Sequence, residues 1–289
     1  MKKSDKIPFF ATRNAGECMN AAVEWHRTNM KVLFPWLLYL LLPLSIVQTI
    51  GLSSFIEDAV NDGHSVTGSM KVVFCFSLIG FTLLNALIWT LVRWDMDHEE
   101  SLSTLTFKQI ARPFSRNLWR MSILALIFGA LTYFVFFELT EFFFVIPFLV
   151  LIILICFAPV IFLAPAYIID NLKIVPAMKR SYRLAKQKLG SLLGLITVLV
   201  VLLTVVWLVA MLLVMIIFGF TSTFSLSQPE DFVKTILLVF QYIMLICSTF
   251  ASYIIVGTGI LSGGYLYGST AQETDDVTLI DDINHFENL

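Results

Sequence analysis

Long apolar runs, separated by short polar segments, dominate the chain. A helix needs about 20 apolar residues to cross a bilayer, and six runs approach or exceed that length. They are Val32–Leu52, Val72–Val92, Met121–Phe137, Phe142–Ile169, Ser191–Phe220 and Thr235–Leu261. None of them contains Asp, Glu, Lys, Arg or His. The pattern predicts an all-α fold, a polytopic membrane protein with six transmembrane helices.

The basic residues fall almost entirely on one side of these runs. All but two of the 19 Lys and Arg residues precede the first run, lie between the second and third, or lie between the fourth and fifth. The exceptions are Lys71 and Lys234. Because loops rich in Lys and Arg stay in the cytoplasm, we expect the basic segments and both termini to be cytoplasmic.

Each basic segment leads into a span and has helical periodicity, so we predict three short cytoplasmic amphipathic helices. In the third, an apolar stripe is formed by Met178, Tyr182, Ala185 and Leu189. Basic amphipathic helices lie in the headgroup layer and are attracted to anionic lipid. The predicted contacts with anionic lipid or with a membrane-protein partner are made by Arg112, Arg116, Lys179, Arg180, Arg183 and Lys186.

The six runs and their connections are short enough to form a single transmembrane domain over residues 1–270. Residues 271–289 then form an acidic cytoplasmic tail without a basic residue. Such a tail is either solvated or docked against the basic helices through its apolar residues. Those apolar residues are Leu279, Ile280, Ile283 and Phe286.

Composition narrows the class further. Hydrophobic residues make up 58% of the chain and charged residues 14%, whereas soluble domains have about 25% charged residues. The formal net charge of −2 gives no reason to expect nucleic acid as a partner. The four cysteines are scattered without a CxxC motif, which favours free thiols.

Candidate chemistry is sparse. Ionisable residues inside spans usually mark proton relays, ion paths or catalytic centres, so their absence argues against a coupled transporter or an intramembrane protease. Carboxylates cluster in WDMDHEE, Trp94–Glu100, and could hold a divalent metal. An acidic turn in water has the same composition, and no paired His fixes a ligand geometry. We expect no catalytic residue, no metal and no cofactor.

The segment Pro165–Leu189 carries a resemblance. A span ends at a proline, a polar pair follows, and a basic helix leads into a long span. The matching residues are Pro165, Asp170, Asn171, Ala177, Lys179, Arg180, Ser181 and Leu184. This resembles a bacterial family that includes YciC-like inner-membrane proteins and the membrane domain of some glycerophosphoryl diester phosphodiesterases.

The resemblance implies a multi-pass protein of the bacterial cytoplasmic (inner) membrane with six spans. It implies no activity, since this sequence lacks the phosphodiesterase catalytic domain and the membrane domain has no catalytic residues to transfer. Within the segment, we predict that the Asp170–Asn171 pair faces Arg180 and Ser181 in a capping or hydrogen-bonding contact.

Two functions remain after these exclusions. The first is a non-catalytic scaffold or accessory protein that contacts anionic lipid or a partner through its basic interfacial helices. The alternative is an uncoupled transporter or lipid-handling permease with a cavity between helices. A polar track through Asn85, Thr204 and Gln241 would favour the second, and dry packing of these residues would favour the first.

Overall fold

The structure is a computed structural model of the 289-residue chain. It describes residues 6–61, 66–98, 100, 102, 105–137, 159–225 and 231–275.

Seven α-helices make up most of the described residues. They are α1 (Ala15–Asn61), α2 (Val66–Asp97), α3 (Phe107–Phe137), α4 (Pro159–Ile168), α5 (Ile174–Gln187), α6 (Leu189–Ser225) and α7 (Asp231–Asp275). The predicted all-α class is therefore confirmed.

Five of the helices, α1, α2, α3, α6 and α7, are long and apolar enough to cross a membrane. They correspond to five of the six predicted spans, and together they indicate a multi-pass membrane protein. The remaining predicted span, Phe142–Ile169, lies mostly outside the described residues. Its last part, within the described residues, is α4 (Pro159–Ile168).

The basic segments differ from the three short helices that we predicted. The first two basic segments are not separate helices, because α1 and α3 run through them without a break into the apolar stretches. Only the third is a helix of its own, since α5 ends at Gln187 and α6 begins at Leu189. At 1.5 Å per residue, α1 is about 70 Å long, more than twice the hydrocarbon thickness of a bilayer.

The chain forms two compact units. The first comprises Met1–Phe34, Asn85–Val198 and Gly257–Leu289, and the second comprises Pro35–Leu84 and Leu199–Val256. Helices α1, α2, α6 and α7 each contribute residues to both units.

The core of the first unit is built around aromatic rings packed on glycines of α7. Trp89 is fully buried, and its ring lies where a Cβ at Gly264 would be. Phe9 packs edge-on against Trp89 at a centroid distance of 6.4 Å, and its carbonyl lies over Gly268. The glycines thus allow close approach, as expected for a small-residue stripe in a membrane helix.

In the second unit, one buried glutamine joins three helices. Gln48 of α1 donates from Nε2 to Ser77 Oγ of α2 at 2.7 Å. Its Oε1 accepts a hydrogen bond from the Tyr253 hydroxyl of α7 at 2.9 Å. The Tyr253 ring passes over Gly80, where a Cβ would overlap it. Interhelical hydrogen bonding is the structural role that we expect for a polar side chain in an apolar span.

Replacing Tyr253 by phenylalanine should lower the free energy of unfolding by about 1 kcal/mol. The buried Gln48 Oε1 would lose the hydrogen bond that it accepts from the Tyr253 hydroxyl. Thermal unfolding in a mild detergent measures the change. Tyr39, which is exposed, provides the matched control, and Tyr39→Phe should have almost no effect. Equal shifts for the two variants would show that the hydroxyl of Tyr253 contributes nothing specific.

Candidate functional site

Helix α5 is fixed to the first unit by its small residues. Its buried side chains are Ala177, Ser181, Leu184 and Ala185, a spacing that places them on one helical face. This face differs from the predicted stripe, with which it shares only Ala185. Met178 and Tyr182 are exposed instead. Small side chains allow α5 to pack closely, and its larger apolar side chains are left on the outer surface.

The loop between α4 and α5 is fixed by Arg120 of α3. Its guanidinium donates to Asn171 Oδ1 at 2.9 Å and to the Leu172 carbonyl at 3.0 Å. It also donates to the carbonyl of Tyr167, and it lies 4.0 Å from the centroid of the Tyr167 ring. Asn171 adopts a left-handed backbone conformation with φ 51°, which asparagine tolerates better than most residues.

Asp170, the residue before this turn, pairs with Arg180 of α5. The distance from Asp170 Oδ2 to Arg180 Nε is 2.8 Å. The Tyr267 hydroxyl of α7 donates to the same carboxylate. Burial raises the pKa of Asp170, although Tyr267 and Arg180 both favour its charged form. Nearby Asp275 adds to the upward shift because it is a second carboxylate close to the same cation.

The end of α7 binds the same helix. Arg180 Nη2 lies 2.6 Å from Asp275 Oδ2, and Arg183 Nη2 lies 3.3 Å from Asp275 Oδ1. Just beyond the end of α5, Lys188 pairs with Glu273 at 2.7 Å. Glu273 and Asp275 belong to the predicted acidic tail, but the structure places both in α7, which continues as a helix to Asp275. The apolar residues predicted to dock the tail, Leu279–Phe286, lie outside the described residues.

The predicted contact among Asp170, Asn171, Arg180 and Ser181 is thus formed by only one pair. The structure brings Asp170 to Arg180, whereas Asn171 bonds to Arg120. The Ser181 hydroxyl donates to the Met178 carbonyl of its own helix at 3.0 Å. No side chain caps the first turn of α5, whose N-cap residue is Lys173.

The six predicted lipid- or partner-contact residues separate into two groups. Arg180 is half-buried and belongs to the cluster just described, so its charge is matched within the protein. The other five are exposed, and they are Arg112, Arg116, Lys179, Arg183 and Lys186. Of these five, only Arg183 forms an ion pair with the described residues.

The acidic stretch after α2 does not converge on one point. Asp95 pairs with Lys6 at 3.1 Å and accepts a hydrogen bond from Trp25 Nε1 at 3.1 Å. Asp97 lies 3.5 Å from Arg93 Nε. Within the described residues, no group of three His, Cys, Asp or Glu side chains is placed to hold a metal ion.

A half-open cleft of about 510 Å³ lies between the end of α2 and the first turns of α3. One wall is formed by Trp94 and His98, whose rings stack at a centroid distance of 3.7 Å. The other lining residues include Thr90, Arg93, Asp97, Arg112, Arg116 and Asn117, and most of the surface that faces the cleft is apolar. Two of the predicted contact residues, Arg112 and Arg116, are thus part of a concave surface.

Sequence reasoning missed the partners of the cluster around Arg180. Tyr267 and Asp275 belong to it through α7, and Arg120 holds its loop. The sequence did contain a signal for Asp275. Acidic residues directly follow the last apolar helix, and their charge is opposite to that of the basic α5. For Tyr267, the only signal was its position among glycines in a span, where a hydroxyl needs a partner.

The chain was also compared with known proteins. No family model matches it, and neither a curated protein nor a solved structure does. The resemblance of Pro165–Leu189 to YciC-like proteins stays a prediction.

Proposed function

We propose that this is a non-catalytic scaffold or accessory protein of the bacterial cytoplasmic membrane, with both termini in the cytoplasm. It contacts anionic lipid, or a membrane-protein partner, through basic surfaces at the cytoplasmic ends of its helices. The proposal agrees with the distribution of Lys and Arg along the sequence and with the similarity to YciC-like proteins.

The observation that carries the proposal is the outer face of α5. Val175 and Tyr182 are each 63% exposed, and Met178 is also exposed. Lys179 and Lys186 lie exposed on the same helix. Exposed apolar side chains beside free cations are typical of a helix lying at a membrane surface, where the apolar groups enter the interface and the cations meet headgroups. The buried small residues of α5 hold this face in place.

The paired groups of the Arg180 cluster support a structural role for it. Asp170, Tyr267, Arg180 and Asp275 bond to one another and connect α5 to α7. We therefore assign the cluster to holding α5 against α7, and the lipid contact to the exposed side chains of α5.

The permease alternative gains less support. Of the residues proposed for a polar track, Thr204 is exposed, and its hydroxyl donates to the Val200 carbonyl of its own helix at 2.7 Å. Asn85 Oδ1 accepts a hydrogen bond from Trp89 Nε1 at 3.3 Å inside the aromatic core of the first unit. Both residues have local structural partners.

Neutralising the outer face of α5 tests the proposal. We expect Lys179→Gln, Arg183→Gln and Lys186→Gln together to weaken the binding of anionic phospholipid by about a hundredfold, since each cation contributes about 1 kcal/mol near an anionic surface and about 1.4 kcal/mol is a factor of ten. Lipid is measured by mass spectrometry after detergent extraction from membranes. Arg180 is left unchanged because it is needed inside the protein.

The matched control keeps the charge and exchanges the side chains. The variant Lys179→Arg, Arg183→Lys and Lys186→Arg should retain as much anionic lipid as the natural protein. If the neutral variant also retains the full amount while remaining folded, α5 makes no lipid contact and the proposal fails.

A further inference from the structure

The cleft between α2 and α3 concentrates positive charge. Three guanidinium groups line it, those of Arg93, Arg112 and Arg116, and Asp97 is the single lining carboxylate. The Arg and Asp side chains of the lining therefore have a formal charge excess of two. A concave surface with one sign of charge concentrates counter-ions more strongly than a flat one.

The three arginines differ in how firmly they are held. Arg93 is fixed, because Nη1 donates to the Ile168 carbonyl at 2.7 Å and Nε faces Asp97 at 3.5 Å. Arg112 and Arg116 are one turn apart on α3, so they extend from the same face of the helix. Both are exposed, and neither forms an ion pair with the residues that the structure describes.

The base of the cleft is polar and ordered. Asn117 is buried, and its Nδ2 donates to the Thr90 hydroxyl at 2.9 Å. The Thr90 hydroxyl in turn donates to the Ala86 carbonyl at 2.6 Å. This chain of hydrogen bonds joins α2 to α3 at the point where Arg93 and Arg116 leave their helices. It fixes the two helices that carry the arginines, whereas only the Arg93 side chain is itself held by hydrogen bonds within the described residues.

Size and chemistry indicate a phosphate ester. The guanidinium group presents paired N–H donors that match the oxygens of a phosphate. A volume of about 510 Å³ falls in the range of small-molecule sites and exceeds what one inorganic phosphate fills. The stacked Trp94 and His98 rings provide an apolar wall for the part of the ligand next to the phosphate.

We propose that this cleft binds a single phosphate-bearing headgroup of an anionic phospholipid. The inference rests on the proposed function for the source of the ligand, because free phosphate or a soluble phosphate ester shares the same chemistry. It deepens that function, since it replaces a general attraction to an anionic surface with one saturable site on α2 and α3.

Calorimetric titration of the full chain in a non-ionic detergent tests the inference. The probes are dihexanoyl phosphatidylglycerol, dihexanoyl phosphatidylcholine and inorganic phosphate. The two lipids are kept below their critical micelle concentrations. We expect saturable binding of phosphatidylglycerol at one site, with a Kd that is about tenfold weaker in Arg112→Gln/Arg116→Gln. The variant Arg112→Lys/Arg116→Lys should have a Kd between those of the natural protein and the glutamine variant, because it keeps the charge and loses the paired donors.

Both arginines are exposed, so the variants should fold, and an unchanged unfolding temperature verifies this. The α5 variant with Lys179, Arg183 and Lys186 neutralised should bind phosphatidylglycerol with a Kd within about twofold of the natural protein. Loss of lipid retention through α5 and loss of cleft binding through α3 are thus separate results.

Each outcome has a definite meaning. Binding of phosphatidylglycerol, with no binding of inorganic phosphate, identifies the lipid headgroup as the source. Equal binding of inorganic phosphate overturns the lipid assignment and makes the ligand a soluble phosphate. The inference as a whole fails if neither anion binds saturably, if phosphatidylcholine binds as well as phosphatidylglycerol, or if the arginine variants leave the Kd unchanged.

Discussion

Gly264→Ala should lower the free energy of unfolding by about 3 kcal/mol, as expected for overpacking of a rigid core. The added methyl group would overlap the six-membered ring of Trp89. That ring is fully buried, and its indole nitrogen is bonded to Asn85 Oδ1. The indole cannot rotate away without losing this bond, so either α7 or Trp89 must move. Thermal unfolding in detergent measures the loss.

Gly194 of α6 provides the matched control for this substitution. A Cβ at that position meets nothing within 4 Å, so Gly194→Ala should be neutral or stabilising by up to about 1 kcal/mol from helix propensity. Combining Gly264→Ala with Trp89→Phe removes the overlapping ring atoms, and the two losses should then be less than additive. A natural unfolding temperature for Gly264→Ala would disprove the close packing of α7 on Trp89.

Arg180→Gln should cost about 3 kcal/mol, because removing one partner of a buried ion pair leaves charge uncompensated. Here the carboxylates of Asp170 and Asp275 both lose a cation, and the Arg180 side chain is only 26% exposed. Asp170→Asn should cost less, because Arg180 keeps Asp275 and because burial already disfavours the charged form of Asp170. Unfolding temperatures of the two variants give the order directly.

Lowering the pH should reduce the defect of Arg180→Gln. The folded-state pKa of Asp170 is raised above its ordinary value, so the folded protein takes up this proton more readily than the unfolded chain. Stability from this carboxyl group therefore increases as the pH falls through the raised pKa. Without Arg180 the pKa rises further, and the difference between variant and natural protein should be larger at about pH 7.5 than at about pH 5. A constant difference would contradict the pairing.

Five of the six predicted spans correspond to long apolar helices, because bilayer thickness imposes a length on apolar runs. The continuity of α1 and α3 through their basic segments could not be predicted, since an amphipathic stretch followed by a span has the same pattern whether or not the helix bends between them. Only between α5 and α6 is there a break, at Lys188.

The orientation of α5 shows a second limit. Periodicity identified Met178 and Tyr182 as an apolar stripe, but it did not identify Ala177 and Ser181 as the face that packs against the protein. In a membrane protein, large apolar side chains are stable against lipid, and small ones permit helices to approach. A sequence stripe of large apolar residues therefore does not distinguish a surface that faces lipid from one that faces protein.

The Asp170–Arg180 pair was accessible to sequence reasoning because both residues lie within one short segment. Tyr267 is 97 positions from Asp170, and Asp275 is 92 positions from Arg183. Nothing in the spacing of such distant residues indicates contact. The cleft on α2 and α3 was missed for a different reason: its lining residues are at most 27 positions apart, but the sequence does not show how the two helices face each other.

The contacts of α7 have a consequence for biogenesis. Ser269 bonds to the backbone of Arg13, 256 positions earlier, and Gly268 lies under Phe9. Asp275 closes the cluster on α5. A ribosome makes α7 after the other helices that the structure describes, so the N-terminal segment and α5 both wait for partners until α7 has been made. A chain interrupted before Gly264 would leave Trp89, Phe9 and Arg180 without these partners, which would expose incomplete copies to membrane quality-control proteases.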